Sequence, residues 1–172
     1  MSDVVADEGV LAPEALLIHG QPAGLVRGAT VVHTDCARYL KLIAALHKDG
    51  YTYLADLAAV DHLGNRTRVV PADIEAQRFE VVVVLRNLTA RAIIRIRCQV
   101  PAVEATLPTL FQLYPGVEAM EREAYDLMGL RFDGHPDLTR ILMPDEWEGH
   151  PLRKDYSHGR VPVQFKYPAA TR

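Results

Sequence analysis

Phe79-Glu-Val-Val-Val-Val-Leu-Arg86 and Arg91-Ala-Ile-Ile-Arg-Ile-Arg-Cys-Gln-Val100 decide the fold class of this chain. The first run is β-branched and apolar on both faces, as an internal strand should be. The second alternates: Ala92, Ile94, Ile96, Cys98 and Val100 point one way, and Arg91, Arg95, Arg97 and Gln99 the other. Asn87 to Ala90 supply the turn between them. The pattern predicts a β-hairpin with one core face and one wet or partner-facing basic face.

Upstream, Thr34 or Asp35 can cap a helix in which Cys36, Leu40, Ile43 and His47 recur at helical spacing before Gly50. Residues 51–60 read as a further strand, and the polar stretch 61–78, with Gly64 and Pro71, as a loop. Downstream, Pro101 ends the hairpin, residues 103–113 suggest a helix interrupted near Pro108, and Pro115-Gly116 opens a better one over Val117–Met128. There Val117, Met120, Ala124 and Leu127 form an apolar stripe, and Gly129 is placed as the C-cap. Arg122 stands four residues from both Glu118 and Asp126, within reach of either. Gly20, Pro22, Gly24 and Gly28 make the early segment a loop. The expected architecture is α/β (an α+β two-layer arrangement), a small mixed sheet covered by helices. It divides into a lead segment, 1–30, a domain, 31–148, and an extended basic C-terminal arm, 149–172.

Composition excludes several chemistries. The chain has 172 residues, 49 % of them hydrophobic and 24 % charged, which describes a globular domain. A net charge of −3 argues against a dedicated nucleic-acid binder. No apolar run approaches the roughly 20 residues of a transmembrane helix, and the acidic start resembles no targeting signal; a bacterial cytoplasmic protein is expected. Two cysteines cannot supply a cubane iron–sulfur cluster or a structural zinc site. Only Ser2 and Ser157 are serines, leaving little room for a serine nucleophile, and no Gly-x-Gly or phosphate loop occurs. Cys98, on the apolar face of its strand, reads as a buried inert thiol. Cys36 stands near a helix N-terminus, where the dipole lowers a thiol pKa, but its shared face with Leu40 and Ile43 favours a core role.

From Gly149 onward Pro151, Gly159, Pro162 and Pro168 forbid a long helix. The segment 149–172 carries a net charge of +4, against −7 for the rest. Val161, Val163, Phe165 and Tyr167 alternate there with polar residues and prolines, giving an extended strand one apolar edge.

The stretch after the second helix has little periodicity and is rich in Gly, His, Pro, Asp and Trp, as an ordered contact loop is. Together with the second half of that helix it reads Glu121-Arg122-Glu123, Asp126-Leu127-Met128-Gly129, Phe132, Gly134-His135-Pro136-Asp137-Leu138, Arg140-Ile141-Leu142 and Asp145-Glu-Trp-Glu-Gly-His-Pro-Leu-Arg-Lys-Asp-Tyr156. These residues closely resemble the signature of the 30-kDa subunit family of respiratory NADH:quinone oxidoreductase (complex I, NDH-1). The likeness is dense over residues 115–167 and looser from about residue 35, including Asp61-His62 and Arg78-Phe79-Glu80-Val81. Ala119 and Thr139 depart from the family pattern, which commonly has Trp and Arg there.

The resemblance implies a non-catalytic scaffold in the peripheral arm of a proton-translocating enzyme, on the cytoplasmic side of the cell membrane. It implies docking on the large quinone-pocket subunit, with FMN and iron–sulfur clusters in partner subunits and none in this chain. The expected partner interface comprises Glu121, Arg122, Glu123, Asp126, His135, Asp137, Arg140, Trp147, Arg153, Lys154, Tyr156 and Phe165. Trp147 and Tyr156 are its aromatic anchors, and Arg153 and Lys154 its salt-bridge donors. Two other readings stand beside it. One is the equivalent subunit of an energy-converting hydrogenase or of a dehydrogenase using another cofactor. The other is a stand-alone metal-dependent enzyme built on Asp133, His135, Asp137 and His150.

Overall fold

A computed structural model describes residues 16–65 and 67–157. Its centre is the hairpin of β5 (Phe79–Asn87) and β6 (Ala92–Val100), paired antiparallel so that Val83 faces Ile96 and Val81 faces Cys98. Around it stand β1 (Leu16–Ile18), β2 (Gln21–Val26), β3 (Ala29–Asp35) and β4 (Tyr53–Asp61), in the order β1-β2-β3-β6-β5-β4. Of the described pairings in this sheet, β3 with β6 is parallel and the others antiparallel, which makes the sheet mixed. This is the predicted α/β class.

The early segment differs from the expected loop. The two-residue connections His19-Gly20 and Arg27-Gly28 each have positive φ at both positions, the requirement of a tight primed hairpin turn. Gly20 and Gly28 are therefore turn residues, and Gly24 lies inside β2. Pro22 is accommodated within β2 beside the short outer strand β1, opposite Leu17. Among the described residues the sheet thus includes Leu16–Ile18, inside the stretch assigned to the lead segment.

One face of the sheet is covered by α1 (Cys36–Lys48) and α2 (Glu118–Met128). Asp35 caps α1, its carboxylate accepting the Arg38 N–H at 2.9 Å. The buried stripe of α1 is Tyr39, Leu42, Ile43 and Leu46, rotated from the expected one, and Leu40 is exposed. Residues 103–113 do not form a helix. Thr106–Pro108 is a short strand, β7, parallel to β8 (Arg131–Asp133). Pro108 lacks the N–H an α-helix needs, and the buried Leu107 packs as a strand residue. A 3-10 turn over Pro115–Val117 leads into α2, and Gly129 closes it with φ 71°.

The opposite face is only partly wet. Arg91 and Arg95 are exposed, but Gln99 is buried and Arg97 half-buried, because the 62–77 segment covers that end. Glu80, also buried, accepts from Arg97 Nε at 2.8 Å and Gln99 Nε2 at 2.6 Å. Arg68 Nη2 donates to Gln99 Oε1 at 2.7 Å. The alternation in β6 locates the face correctly but does not reveal the loop that closes over it.

Candidate functional site

The site is the irregular chain from Gly129 to Ser157 and the helix that shapes it. α2 carries two carboxylates on its inward side, Glu121 and Asp126, each 0 % exposed. The apolar stripe read from sequence holds at Val117 and Ala124, whereas Met120 and Leu127 are only half-buried.

Asp126 is the hub. Its Oδ2 accepts the backbone N–H groups of Ile141 at 3.1 Å and of Leu142 and Met143 at 2.8 Å. Oδ1 takes Arg140 Nη1 at 2.6 Å. Burial alone would raise this carboxyl's pKa; the amides of Met143 and Leu142, then Arg140 and Ile141, outweigh it and hold the pKa down to about 2. The Asp126 backbone carbonyl accepts from His150 Nδ1 at 2.9 Å. Arg140 Nη2 reaches on to the carbonyls of Trp147 at 2.8 Å and Gly149 at 3.1 Å. One buried carboxylate and one guanidinium therefore fix both ends of the 140–150 segment.

Arg122 pairs with neither Glu118 nor Asp126. It donates from Nε to the Thr139 carbonyl at 3.1 Å, and from Nη2 to Thr139 Oγ1 and the Arg140 carbonyl, both at 2.9 Å. Thr139, one of the two departures from the family pattern, thus has a contact inside the chain. Ala119 is exposed.

Glu121 accepts from Thr109 Oγ1 at 2.5 Å and the Leu110 N–H at 2.8 Å, and burial raises its pKa. His135 Nδ1 accepts the Asp137 N–H at 3.1 Å, so its proton sits on Nε2, 3.2 Å from the Glu118 carbonyl. Asp137 and Glu123 face solvent.

Residues 150–155 are strapped to the body, unlike the extended arm expected from Gly149. The Leu152 N–H bonds the Leu127 carbonyl at 3.0 Å, and Arg153 Nε the Met128 carbonyl at 2.7 Å, capping α2. The Lys154 N–H donates to Asp61 Oδ2 at 3.0 Å while its side chain stays outside. Arg78 joins Asp61 at 2.8 Å to Asp155 at 2.7 Å and lies 4.8 Å over the Phe79 ring. A Cβ at Gly129 would come within 2.5 Å of both the His150 ring and the Arg153 guanidinium. Glycine is required there for space as well as for φ.

The surface this framework presents combines apolar and acidic groups. Ile141, Leu142 and Leu152 are exposed, Leu142 at 62 %. An open groove of about 870 Å³ runs along Pro144, Trp147 and Tyr156, with Glu146, Glu148 and Asp155 on its rim. Trp147 is half-buried, and its Nε1 has no hydrogen-bond partner among the described residues. Phe165 and the rest of the alternating tail, 158–172, lie outside the described residues.

Asp133, His135, Asp137 and His150 are not brought together: His135 turns inward to α2 while His150 bonds the Asp126 carbonyl. Among the described residues no three His, Cys, Asp or Glu side chains are placed to hold a metal ion. No described helix is long and apolar enough to cross a membrane. Sequence reading missed the exposed pair Ile141 and Leu142, and the clamps Asp61, Arg78, Thr109 and His150. The signal for Asp61 and Arg78 was their place in the looser part of the family likeness.

The family described as respiratory-chain NADH dehydrogenase, 30 Kd subunit, matches residues 31–161. The C-type subunit of NADH-quinone oxidoreductase from Salinispora arenicola is 38 % identical over 163 residues, covering 95 % of this chain and 56 % of the relative. The chain therefore spans little more than half the length of that curated relative. A solved trypsin-resistant fragment of Nqo5 superposes with a TM-score of 0.61 at 31 % identity, over 70 % of this chain and 91 % of the fragment. A chain of the membrane-bound sulfane sulfur reductase, an archaeal respiratory membrane complex, shares the fold, with a TM-score of 0.65 at 18 % identity over 88 % of this chain and 90 % of that one. With the match running from within β3 through the later strands of the sheet, both helices and the strapped loop, the chain belongs to the family of the 30 Kd subunit of respiratory-chain NADH dehydrogenase.

Proposed function

We propose that this chain is a non-catalytic scaffold subunit in the peripheral arm of a proton-translocating NADH:quinone oxidoreductase. It docks on the large subunit that shapes the quinone pocket, on the cytoplasmic side of the membrane, and supports electron flow from NADH through flavin and iron–sulfur centres held by its partners. The observation that supports this reading most is the Asp126 framework. Three backbone amides and one arginine are committed to a single buried carboxylate, and the product of that arrangement is a rigid loop presenting Ile141 and Leu142 to the outside. A chain that orders an apolar loop in advance lowers the cost of binding a partner there.

In this proposal Glu121, Arg122, Asp126, His135 and Arg140 shape the interface from within. Glu123, Asp137, Trp147, Lys154 and Tyr156 contact the partner, joined by Ile141 and Leu142. Arg153 serves mainly as the cap of α2, and Phe165 with the basic tail lies along an acidic surface of the partner.

Affinity capture of the tagged full chain from membranes of its own organism tests the reading. Flavin- and iron–sulfur-containing subunits with NADH:quinone reductase activity should co-purify. Removing residues 158–172 should weaken that recovery while the strapped segment 150–157 stays in place. Recovery of the chain alone, or with partners that evolve hydrogen, would overturn the assignment.

A further inference from the structure

The two cysteines are far apart in sequence, and the fold brings them to one point. In the parallel β3/β6 ladder Thr34 faces Cys98 and Asp35 faces Gln99; Cys36 follows as the first residue of α1. Both sulfurs address the same carbonyl, that of Gln99, at 3.4 Å from Cys36 Sγ and 3.9 Å from Cys98 Sγ. Their environments differ. Cys98 is 0 % exposed, whereas Cys36 is half-buried and lines a cleft of about 350 Å³ with Pro101, Glu104, Thr106, Pro108 and Asp133. The cleft admits a small polar oxidant to Cys36 and not to Cys98.

The electrostatics separate the thiols in the same sense. The neighbouring Cys98 side chain lowers the pKa of Cys36, while burial raises that of Cys98. The first turn of a helix also favours a thiolate at Cys36. An accessible, more acidic thiol backed by a buried, more basic one is the arrangement of an attacking and a resolving cysteine.

We propose that Cys36 and Cys98 form a two-thiol oxidation site for hydroperoxides, in which Cys36 is oxidised first and Cys98 closes an intrachain disulfide. In the first step the Cys36 thiolate attacks one oxygen of the hydroperoxide. An S–O bond forms, the O–O bond breaks, and the leaving alkoxide or hydroxide takes up a proton. The sulfur loses two electrons and the peroxide gains them. In the second step Cys98 gives up its proton and its sulfur displaces hydroxide from the Cys36 sulfenic acid. The S–S bond forms, the S–O bond breaks, and water leaves. Two thiols and one hydroperoxide thus yield one disulfide, one alcohol (water, for hydrogen peroxide) and one water. The product ties the start of α1 to β6, and the site stands independently of the proposed assembly.

The test treats the reduced full-length chain with stoichiometric hydrogen peroxide, followed by alkylation and peptide mapping. Both thiols should disappear together into a Cys36–Cys98 linked peptide in a monomeric product. Loss should be about tenfold faster than for the same chain in denaturant, as expected of a thiol with a raised thiolate fraction. The variant Cys98→Ala should accumulate a Cys36 sulfenic acid that dimedone traps, and Cys36→Ser should leave Cys98 unreacted. A Cys36 sulfinic acid beside a free Cys98, a disulfide between two chains, or oxidation of Cys98 at the wild-type rate in Cys36→Ser would each overturn the proposal. Should Cys98→Ala fail to fold, the linked peptide in the wild-type chain decides the question unaided.

Discussion

The sheet and the segment from Gly129 to Ser157 are ordered by different means. In the sheet, Val81, Val83, Leu85, Ile94, Ile96 and Cys98 are all at most 1 % exposed and share one apolar core, and ladder bonds satisfy the backbone. In the segment after α2 only Arg131–Asp133 is strand, and the backbone is held by side chains: Asp126, Arg122, Arg140 and Arg153 from within, Asp61 and Arg78 from the sheet. Apolar burial thus specifies a body in which the loss of one side chain is spread over many neighbours. A few buried charges specify a loop in which it is not, because each charge left without its partner is costly.

The sharpest way to break this comparison is to remove the hub. Asp126→Ala leaves three amides without their acceptor and Arg140 without its carboxylate, and should cost about 3–5 kcal/mol. Hydrogen exchange should show the loss of protection at Ile141, Leu142 and Met143 ahead of any loss in β5 and β6. Unchanged protection at those amides would mean that the loop is held by something else. The complementary change, Ile96→Ala, should cost about 3 kcal/mol through the cavity it opens. It should lower the denaturation midpoint of the whole chain while leaving the relative protection of the loop amides as it was.

Acid should separate the two regions again. His33 lies in β3, and burial, with help from Arg97, lowers its pKa from 6.5 to about 4. The unfolded chain therefore binds a proton that the folded chain refuses. Stability should be full above pH 6.5 and fall by about 2–3 kcal/mol as the pH drops toward 4. Asp126, held down to about 2, contributes stability above 3.8 that disappears only as the pH falls through about 2. A pH series of urea denaturations should show a smaller first loss in His33→Gln than in wild type, the remainder belonging to His62 and His150, whose pKa values burial also lowers. The loop amides should lose most of their protection in the lower window, where Asp126 takes up its proton. The smallest effect belongs to Asp155→Asn at the rim. Asp155 is half-exposed, and its pair with Arg78 should be worth less than about 1 kcal/mol by denaturant titration.

The sheet was legible because period-2 alternation is written directly into residues 91–100, beside a β-branched run at 79–86 that is apolar on both faces. The N-terminal hairpins were not, since Gly20, Gly24 and Gly28 look alike in sequence and only backbone φ separates the two turn glycines from the one in a strand. Residues 103–113 read as a helix because apolar spacing there fits either element, and Pro108 alone argued otherwise. The site was legible as a stretch, not as a mechanism. Charges on α2 ordinarily face solvent, and nothing within the helix shows that Asp126 meets the backbone of residues 141–143, a long-range consequence of how the loop folds back. Nor does composition separate Arg153, which caps α2, from Lys154, whose side chain is at the surface.

In the proposed assembly the loop after α2, and not the exposed surface of the sheet, is what the partner grips. The most direct measurement compares two tagged full-length variants in affinity capture from membranes: Leu142→Asp on the loop and Leu25→Asp on β2, where the side chain is 67 % exposed. Both should keep the wild-type circular dichroism. The Leu25 variant should recover the redox subunits as wild type does, and the Leu142 variant should recover less than about a tenth as much, the loss expected of an apolar anchor worth roughly 1.4 kcal/mol or more. Equal recovery by the two variants, or loss confined to the Leu25 variant, would contradict the account.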